Sequence, residues 1–227
     1  MQTFESKIIN TKEIAKNTIS IETEKPTDFS FNAGQFLQFI VPTAEKEVLR
    51  SYSIASSPND GTLLFCVKLI KDGIASEYLR NLKSGDIIKM KGAIGRFSEE
   101  ESGNSLFFVA TGTGLAPTMS IIKDQLKNKG NKNKIHLLLG FRSENNIIWQ
   151  EEIENLEKGY SNFTYMLTLS QPSENWSGMQ GRVTLYFNHP SSSYKYFMCG
   201  NQAMVSEIRQ TLIKNNIENS QIHFEIF

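Results

Sequence analysis

The sequence has few cysteines and no excess of charge of either sign. Its 227 residues include two cysteines, Cys66 and Cys199, which stand far apart and form no C-x-x-C pair. This scarcity excludes a cysteine-ligated zinc or iron–sulfur site of the ordinary kind, and it is typical of a protein of the reducing cytoplasm. Lysine plus arginine number 24, and aspartate plus glutamate also number 24. The balance excludes a global attraction to nucleic acid or to acidic membranes.

Long apolar runs and clustered histidines are also missing. No apolar stretch approaches the roughly 18 residues of a membrane span, and the N-terminus, MQTFESKIIN, lacks the apolar core of a signal peptide. The three histidines are scattered, and no metal site is predicted. His136 lies in an apolar run, where a satisfied core residue explains it better than a metal ligand. The hydrophobic share of 39% is enough for a packed core in one large domain or two small ones.

The first part of the chain predicts a β-barrel. Short runs typical of strands are separated by turn signals, and one helix is predicted over Ala75–Leu82. Six strands at this spacing indicate a closed antiparallel barrel. The polar stretch from Glu99 to Asn104 predicts a boundary between a barrel domain, 1–98, and a second domain, 105–227. The predicted strands are Lys7–Ile9, Thr18–Glu22, Phe36–Val41, Ser51–Ile54, Leu63–Ile70 and Asp86–Met90.

The second part of the chain alternates between strand and helix patterns, which indicates βαβ units and a parallel sheet. The run from Lys127 to Lys134 has no interleaved aromatic residues, so we interpret it as a solvated loop and not as a nucleic-acid patch. The predicted strands are Leu106–Val109, Ile135–Leu139, Phe163–Leu169, Tyr194–Met198 and Ile222–Ile226. The predicted helices are Leu115–Lys127, Trp149–Leu156, Val183–Phe187 and Gln202–Lys214.

The stretch LFFVATGTGLAPTM places a glycine turn between a buried strand and a helix. Gly112, Thr113 and Gly114 have the small side chains that let a backbone pass close to a phosphate, and Pro117 suits the first turn of a helix. This geometry presents free N–H groups and the positive end of the helix dipole to a pyrophosphate. An ordinary strand-to-helix turn explains this stretch equally well, because the G-x-G-x-x-G pattern is incomplete.

Two further short motifs have chemistry suited to a nucleotide. In the strand RSYS, Arg50 and Tyr52 share one face, and they offer a forked donor for phosphate and a flat ring for stacking. In GIAS, Gly73 permits a tight turn and Ser76 can bond a phosphate oxygen. Without a ligand, the same residues make an edge strand with a surface arginine and a capped helix.

Six motifs follow one another in the order AGQF, RSYS, GIAS, GTGLAP, CGNQAM and a terminal FEIF. In this order the chain resembles the ferredoxin–NADP reductase family of flavoenzymes over nearly its whole length. The resemblance implies an FAD-binding antiparallel barrel of six strands, followed by an NAD(P)-binding α/β domain with a parallel sheet. It also implies hydride transfer between NAD(P)H and flavin N5, followed by single-electron transfer to or from a ferredoxin or flavodoxin.

The resemblance implies a set of FAD contacts. Arg50 would hold the pyrophosphate, Tyr52 would stack on the isoalloxazine, and Ser53 would hydrogen-bond near flavin N5. The G-x-x-S loop would offer backbone N–H groups to the phosphates, which favours FAD over FMN. The implied contacts are Arg50, Ser51, Tyr52, Ser53, Val67, Lys68, Leu69, Gly73, Ile74, Ala75 and Ser76.

The resemblance also implies the nicotinamide side of the site. Thr113 and Cys199 would flank the ring, Glu225 would lie beside the reacting atoms, and Phe227 would cover the flavin face and move for nicotinamide to stack. A buried core thiol and an aromatic core plug are the alternatives for Cys199 and Phe227. Many plant-type members end in tyrosine, so Phe227 is a variation. The implied dinucleotide contacts are Gly112, Thr113, Gly114, Pro117, Arg142, Ser143, Arg182, Cys199, Gly200, Met204 and Phe227.

The choice between NADH and NADPH depends on the residues after the second strand of this domain. An acidic residue there is usual for NAD, whereas this chain has Arg142, and Arg182 lies further on. Both arginines suit a 2′-phosphate or a solvated surface. Gln171 and Pro172 stand where NADPH users of the family often have a basic residue. The sequence leans to NADPH.

Three alternatives stay open. A flavin reductase that releases its flavin has the same scaffold, and so does the reductase component of an oxygenase or hydroxylase with a separate iron–sulfur partner. A dinucleotide-binding regulator without enzymatic activity is the third. The sequence leaves the oligomeric state open, and a monomer is plausible.

Overall fold

The computed structural model describes residues 2–227 and contains two six-stranded sheets. The first sheet is antiparallel with strand order β4-β3-β6-β1-β2-β5. Beyond the end of β4, one bridge from Ile54 to Phe65 joins that edge of the sheet to β5 and closes the barrel. Its elements are β1 (Gln2–Ala15), β2 (Thr18–Glu24), β3 (Phe36–Pro42), β4 (Glu47–Ser53), β5 (Thr62–Lys68), α1 (Ile74–Arg80) and β6 (Ile87–Ile94).

The second sheet has strand order β10-β9-β8-β7-β11-β12, and all its pairings are parallel. The strands are rich in Leu, Ile, Val and Phe because helices cover both faces. Its elements are β7 (Ser105–Thr111), α2 (Leu115–Lys123), β8 (Ile135–Phe141), α3 (Gln150–Gly159), β9 (Phe163–Leu169), β10 (Met179–Gln180), β11 (Tyr194–Gly200), α4 (Gln202–Lys214) and β12 (Ile222–Ile226). The predicted fold class, an antiparallel barrel followed by a parallel α/β sheet, is confirmed.

Several predicted element bounds were wrong. The strand predicted at Lys7–Ile9 runs from Gln2 to Ala15, because its long exposed face carries polar residues that do not mark its ends. The helix predicted to end at Lys127 leaves α-helical geometry after Lys123 and continues as a π-helical turn to Asn128. Asp124 and Gln125 in that turn are buried and hydrogen-bonded, so the helix face stays inside the protein.

Other differences lie at the edge of the second sheet. The helix predicted over Val183–Phe187 is a single 3₁₀ turn, Val183–Leu185, and the two-residue strand β10 was not predicted. The predicted loop from Lys127 to Lys134 begins inside the π-helical turn. Within it, Asn131 is buried and donates hydrogen bonds to Asn104 O and Gln125 Oε1. The loop is therefore anchored by its asparagines.

The two sheets share a core across helix α2. Ala33, Ala55, Cys66 and Phe97 of the barrel pack in the same apolar cluster as the buried residues of α2. Ser120, fully buried on that helix, donates to Ser56 O at 2.7 Å and accepts from Gly34 N–H at 3.4 Å. Both polar and apolar contacts therefore join the barrel to helix α2 of the parallel sheet. Within residues 2–227, no helix combines the length and apolar character needed to cross a membrane.

Candidate functional site

The glycine turn after β7 is shaped by two close contacts. Gly112–Gly114 form a 3₁₀ turn that runs directly into α2. A Cβ on Gly114 would lie 2.2 Å from the carbonyl oxygen of Cys199, so a side chain at 114 would clash with the end of β11. Gly112 has φ +57°, and the space where its Cβ would lie is open. The turn therefore packs against β11 on one side and leaves backbone accessible on the other.

A cavity of about 950 Å³ opens at the carboxyl ends of the parallel strands. Ligands of open parallel sheets bind at this end of the strands. Eight of the predicted site residues line the cavity: Lys68, Gly112, Thr113, Arg142, Ser143, Arg182, Met204 and Phe227. Its polar lining also includes residues that the sequence reasoning missed: Lys16, Asn17, Thr18, Asn145, Asn146 and Glu207.

The β1–β2 hairpin forms one wall of this cavity. The backbone N–H of Lys16 donates to Asn145 O at 2.9 Å, which ties the barrel to the loop after β8. Lys68 Nζ donates to Lys16 O at 2.6 Å and to Thr18 Oγ1 at 3.3 Å. Since the cavity lining carries four cationic side chains against one carboxylate, Glu207, it favours an anionic ligand.

The Arg142 side chain is oriented by Gln171, which follows the neighbouring strand β9. Its Nε donates to Gln171 Oε1 at 2.8 Å, and both side chains are exposed. The next residue, Ser143, donates to Asn146 Oδ1 at 2.9 Å. Arg182 is also exposed and lines the same cavity. The two arginines predicted to suit a 2′-phosphate therefore lie around one opening, together with Ser143.

Arg50 and Tyr52 lie on β4, along the edge that a single bridge joins to β5. We call this junction between β4 and β5 the seam of the barrel. They pair in register with Phe39 and Leu37 and share one face of the sheet, where Tyr52 packs against the barrel core and Arg50 is exposed. The Tyr52 ring lies 4.8 Å from the Phe39 ring. Burial raises the pKa of Tyr52, and the Arg50 charge acts in the opposite direction. The phenol therefore stays protonated at neutral pH beside the guanidinium.

On the other side of the seam, at β5 and the turn before α1, the main chain rather than the side chains can contact a ligand. Val67 and Leu69 are buried in the barrel core, so only their main chain can meet a ligand there. The N–H of Gly73 donates to Ile70 O at 3.2 Å, and the N–H of Ile70 donates to Ser76 Oγ at 2.8 Å. No side chain caps α1, which leaves the first N–H groups of that helix to bind an anion.

Cys199 and Pro117 do not line the cavity. Both are buried, and Cys199 is 0% exposed within the core cluster under α2. Burial raises the pKa of the Cys199 thiol well above its ordinary value, and the nearby Glu225 carboxylate raises it further. The thiol is therefore neutral and lies behind the cavity wall, where the predicted contact with nicotinamide requires the covering residues to move.

Strand β12 carries a carboxylic acid beside Cys199, and the aromatic ring that follows the strand lines the cavity. Glu225 pairs in register with Cys199, and burial raises its pKa to about 7. Phe227 donates its N–H to Gly200 O at 3.3 Å, and its side chain is 57% exposed at the cavity. Gly200 must lack a side chain, because a Cβ would lie 2.1 Å from Thr111 Oγ1.

Comparisons with known proteins agree with this geometry. Residues 5–98 match the oxidoreductase FAD-binding domain family model, and residues 108–210 match the oxidoreductase NAD-binding domain family model. Ferredoxin–NADP reductase B of Sorangium cellulosum is 33% identical over 221 residues, which cover 91% of this chain and 90% of that protein.

The chain belongs to the ferredoxin–NADP reductase family. As a member of that family it is an FAD-dependent NAD(P)H oxidoreductase. The phenol hydroxylase P5 protein of Acinetobacter pittii is 28% identical over 100% of this chain and 66% of its own length. The toluate 1,2-dioxygenase electron transfer component of Pseudomonas putida is 25% identical over 99% of this chain and 67% of its own length.

Solved structures share the fold of this ferredoxin–NADP reductase family member. A cytochrome P450 reductase from Amycolatopsis has a TM-score of 0.90 at 23% identity and covers 100% of this chain, which spans 70% of that structure. A ferredoxin–NADP⁺ reductase from Neisseria gonorrhoeae, solved with FAD and NADP, has a TM-score of 0.85 at 24% identity. The match covers 100% of this chain and 99% of that structure.

The residues present fit both cofactors of the family. On the barrel side, a guanidinium, a stacking ring and uncapped helix N–H groups lie along one seam, which matches the pyrophosphate and ring of FAD. On the sheet side, the open space at Gly112 and the cationic lining match a dinucleotide. Lys68 belongs to β5 at the seam and also lines the cavity, so the two sets of groups adjoin.

Proposed function

We propose that this reductase uses NADPH to reduce bound FAD and passes electrons singly to a ferredoxin or flavodoxin. The observation that carries the proposal is the cavity of about 950 Å³, which meets the barrel seam at Lys68 and has Phe227 at its wall. When bound, FAD supplies the chemistry that links hydride transfer to one-electron transfer. Ferredoxin–NADP reductase B of Sorangium cellulosum supports the choice of ferredoxin as partner.

In this proposal the chain's own residues bind and align. Within a barrel domain of 1–98, Arg50 holds the FAD pyrophosphate with the free N–H groups of α1, Tyr52 stacks on the flavin ring, and Ser53 hydrogen-bonds at its edge. Within a nucleotide domain of 105–227, the turn around Thr113 receives the dinucleotide. Alignment is the main contribution, since misplacement of the rings by an ångström lowers the rate about a hundredfold.

The preference for NADPH depends on Arg142. Its guanidinium lies at the cavity and is oriented by Gln171, and no carboxylate among residues 2–227 forms an ion pair with it. We expect Arg142→Gln to raise the KM for NADPH about tenfold and to leave the KM for NADH unchanged, because NADH has no 2′-phosphate to lose. Arg209→Gln is the matched control, since Arg209 lies over the Phe224 ring, outside the residues that line the cavity. Equal effects on both coenzymes would remove Arg142 from the 2′-phosphate site.

The function itself is tested on the purified protein. We expect a yellow protein that retains FAD through gel filtration, is bleached by NADPH, and reduces a ferredoxin or flavodoxin from a panel. A colourless protein that consumes NAD(P)H only with added flavin indicates a flavin reductase instead. Absence of any NAD(P)H-dependent reduction of ferricyanide supports a dinucleotide-binding regulator instead.

A second candidate acceptor is the iron–sulfur component of an oxygenase. The observation that favours it is the alignment of the whole chain with the phenol hydroxylase P5 protein. The same panel separates the two candidates when oxygenase ferredoxins are included. A rate of reduction at least about tenfold higher with an oxygenase component than with any free ferredoxin or flavodoxin would favour this second acceptor.

A further inference from the structure

The tip of the first barrel hairpin reaches across to the parallel-sheet half of the chain. Lys16 and Asn17 join β1 to β2 in a tight turn. The backbone N–H of Lys16 donates to Asn145 O in the loop after β8 at 2.9 Å. The two residues before the turn, Ile14 and Ala15, pack against the apolar cluster that contains α2. The hairpin tip is therefore a barrel segment built into the wall of the cavity.

Hydrogen bonds from β5 and from the hairpin itself fix the tip. Lys68 Nζ donates to Lys16 O at 2.6 Å, and the N–H of Leu69 donates to Asn17 O at 2.8 Å. Asn17 has φ +53°, a conformation that asparagine tolerates, and its N–H donates to Glu13 Oε1 at 3.1 Å. The hydrogen bonds of Lys16 all use its backbone atoms, so they position the residue and leave its ammonium group for a ligand.

The Lys16 side chain is exposed, lines the cavity and carries an unpaired charge. No carboxylate among the described residues, 2–227, forms an ion pair with it. The ammonium of Lys68, by contrast, is already bonded to the hairpin tip. Cationic side chains around one opening repel one another, so an anion bound among them is stabilised. Lys16 is therefore the barrel lysine available to such an anion.

The position of Lys16 indicates which part of a dinucleotide it meets. The proposed function places the 2′-phosphate at Arg142 and the nicotinamide ring near the seam, which Lys68 adjoins. Through its N–H, Lys16 bonds to Asn145, three residues after Arg142, and through its carbonyl oxygen it bonds to Lys68. It therefore lies between the two recognition points, where a bound dinucleotide has its pyrophosphate.

We propose that Lys16 binds the pyrophosphate that NADH and NADPH share, which makes the hairpin tip a barrel-side part of the dinucleotide site. The proposal rests on the proposed function, because that function places the dinucleotide in this cavity. A lysine serves phosphate as a point charge, which suits a flexible side chain on a fixed turn. The pyrophosphate does not react, so this contact strengthens substrate and transition-state binding equally.

A binding test on the FAD-loaded protein uses two probes. ADP-ribose carries the pyrophosphate without a 2′-phosphate or a nicotinamide, and 2′-AMP carries a 2′-phosphate without a pyrophosphate. In Lys16→Gln we expect isothermal titration to show about tenfold weaker binding of ADP-ribose, because a charge-assisted contact is lost. Binding of 2′-AMP should stay unchanged. We expect Arg142→Gln to give the reverse result.

Two further variants separate a local contact from a general effect of charge. Lys12→Gln removes the same charge from the exposed face of β1 in the same hairpin, at a residue outside those that line the cavity, and should leave both probes unaffected. Lys16→Arg keeps the charge and should bind ADP-ribose within about threefold of the wild type. Equal weakening of ADP-ribose binding in Lys12→Gln and Lys16→Gln would overturn the proposal.

Steady-state kinetics provide a second readout. We expect Lys16→Gln to raise the KM for NADPH and for NADH by the same factor, about tenfold, and to leave kcat for ferricyanide reduction unchanged. An increase confined to NADPH would assign Lys16 to the 2′-phosphate and overturn the proposal, and so would unchanged KM values for both coenzymes. Wild-type protein that binds ADP-ribose but is not bleached by NADPH contradicts the proposed function, and the ADP-ribose titrations then decide the role of Lys16.

Discussion

At the scale of single residues, the clearest prediction concerns Phe227. Its ring is 57% exposed and lines the cavity, and in the proposed function nicotinamide displaces it. We expect Phe227→Ser to tighten NADP⁺ and NAD⁺ binding about tenfold and to reduce the discrimination between them. Isothermal titration of the FAD-loaded protein measures both dissociation constants.

The control for this change is Phe224→Ser. Phe224 is also a partly exposed aromatic residue of the C-terminal segment, at 45%, but it lies on the opposite face of β12 under Arg209. We expect no change in either dissociation constant for this variant. Unchanged constants in Phe227→Ser would show that the terminal ring does not compete with nicotinamide.

A second residue-scale prediction tests the glycine turn. In Gly114→Ala the new methyl group would meet the Cys199 carbonyl, so α2 or the end of β11 must shift. We expect a loss of about 2 kcal/mol in the free energy of unfolding and weaker dinucleotide binding. Urea denaturation measures the first, with Gly159→Ala as control, because its Cβ would meet nothing within 4 Å. Equal stability of the two variants would contradict the close packing of this turn.

At the scale of elements, helix α2 joins the two domains. Its Ser120 hydroxyl donates to Ser56 O of the barrel and accepts from Gly34 N–H, and both hydrogen bonds are buried. We expect Ser120→Ala to lower the free energy of unfolding by about 1–2 kcal/mol, since two buried backbone groups lose their partner. Urea denaturation is the measurement, and Ser206→Ala on the exposed face of α4 should change stability little. If Ser120→Ala left the free energy of unfolding unchanged and only Ser206→Ala lowered it, the Ser120 hydrogen bonds would not stabilise the contact between the barrel and α2.

Elements with both ends marked in the sequence were predicted well. The strands Phe163–Leu169 and Ile222–Ile226 and the helix Gln202–Lys214 have the predicted bounds. Phe163–Leu169 lies between Asn162 and Ser170, the strand Ile222–Ile226 begins after Gln221, and Asn201 caps the helix by accepting from Met204 N–H. The length of β1 and the π-helical turn after Lys123 could not be predicted, because partners far along the chain determine them.

The candidate site likewise contains residues that the sequence predicts and residues that only the fold reveals. Arg142 and Thr113 could be predicted because they belong to short, recognisable sequence motifs, and both line the cavity. Lys16 and Asn17 were missed, since a hairpin tip carries no motif and reaches the cavity only through the fold. The prediction that Cys199 touches nicotinamide stays a prediction, because burial of the thiol depends on packing under α2 that no local pattern reveals.

At the scale of the whole molecule, two partly buried titratable residues of β12, Glu225 and His223, give stability a pH dependence. Burial raises the folded-state pKa of Glu225 from 4.5 to about 7, so its contribution falls as pH rises from about 4.5 to about 7 and is constant above. The lowered pKa of His223 acts in the opposite direction below about pH 6.5, since the unfolded chain binds that proton more readily there. The two pH ranges overlap, so His223 offsets part of the loss below pH 6.5, and the loss from Glu225 alone remains between about pH 6.5 and 7.

Glu225→Gln isolates the first effect. Glutamine keeps the shape of the side chain and does not ionise, so we expect the variant to match the wild type near pH 4.5 and to exceed it at pH 8. The expected gain is about 2 kcal/mol, after allowance for the partial exposure of the carboxyl group. Chemical denaturation at both pH values measures it, and Glu218→Gln in the exposed turn before β12 should show no such difference. If the gain were the same at both pH values, burial would not raise the pKa of Glu225 in the folded protein.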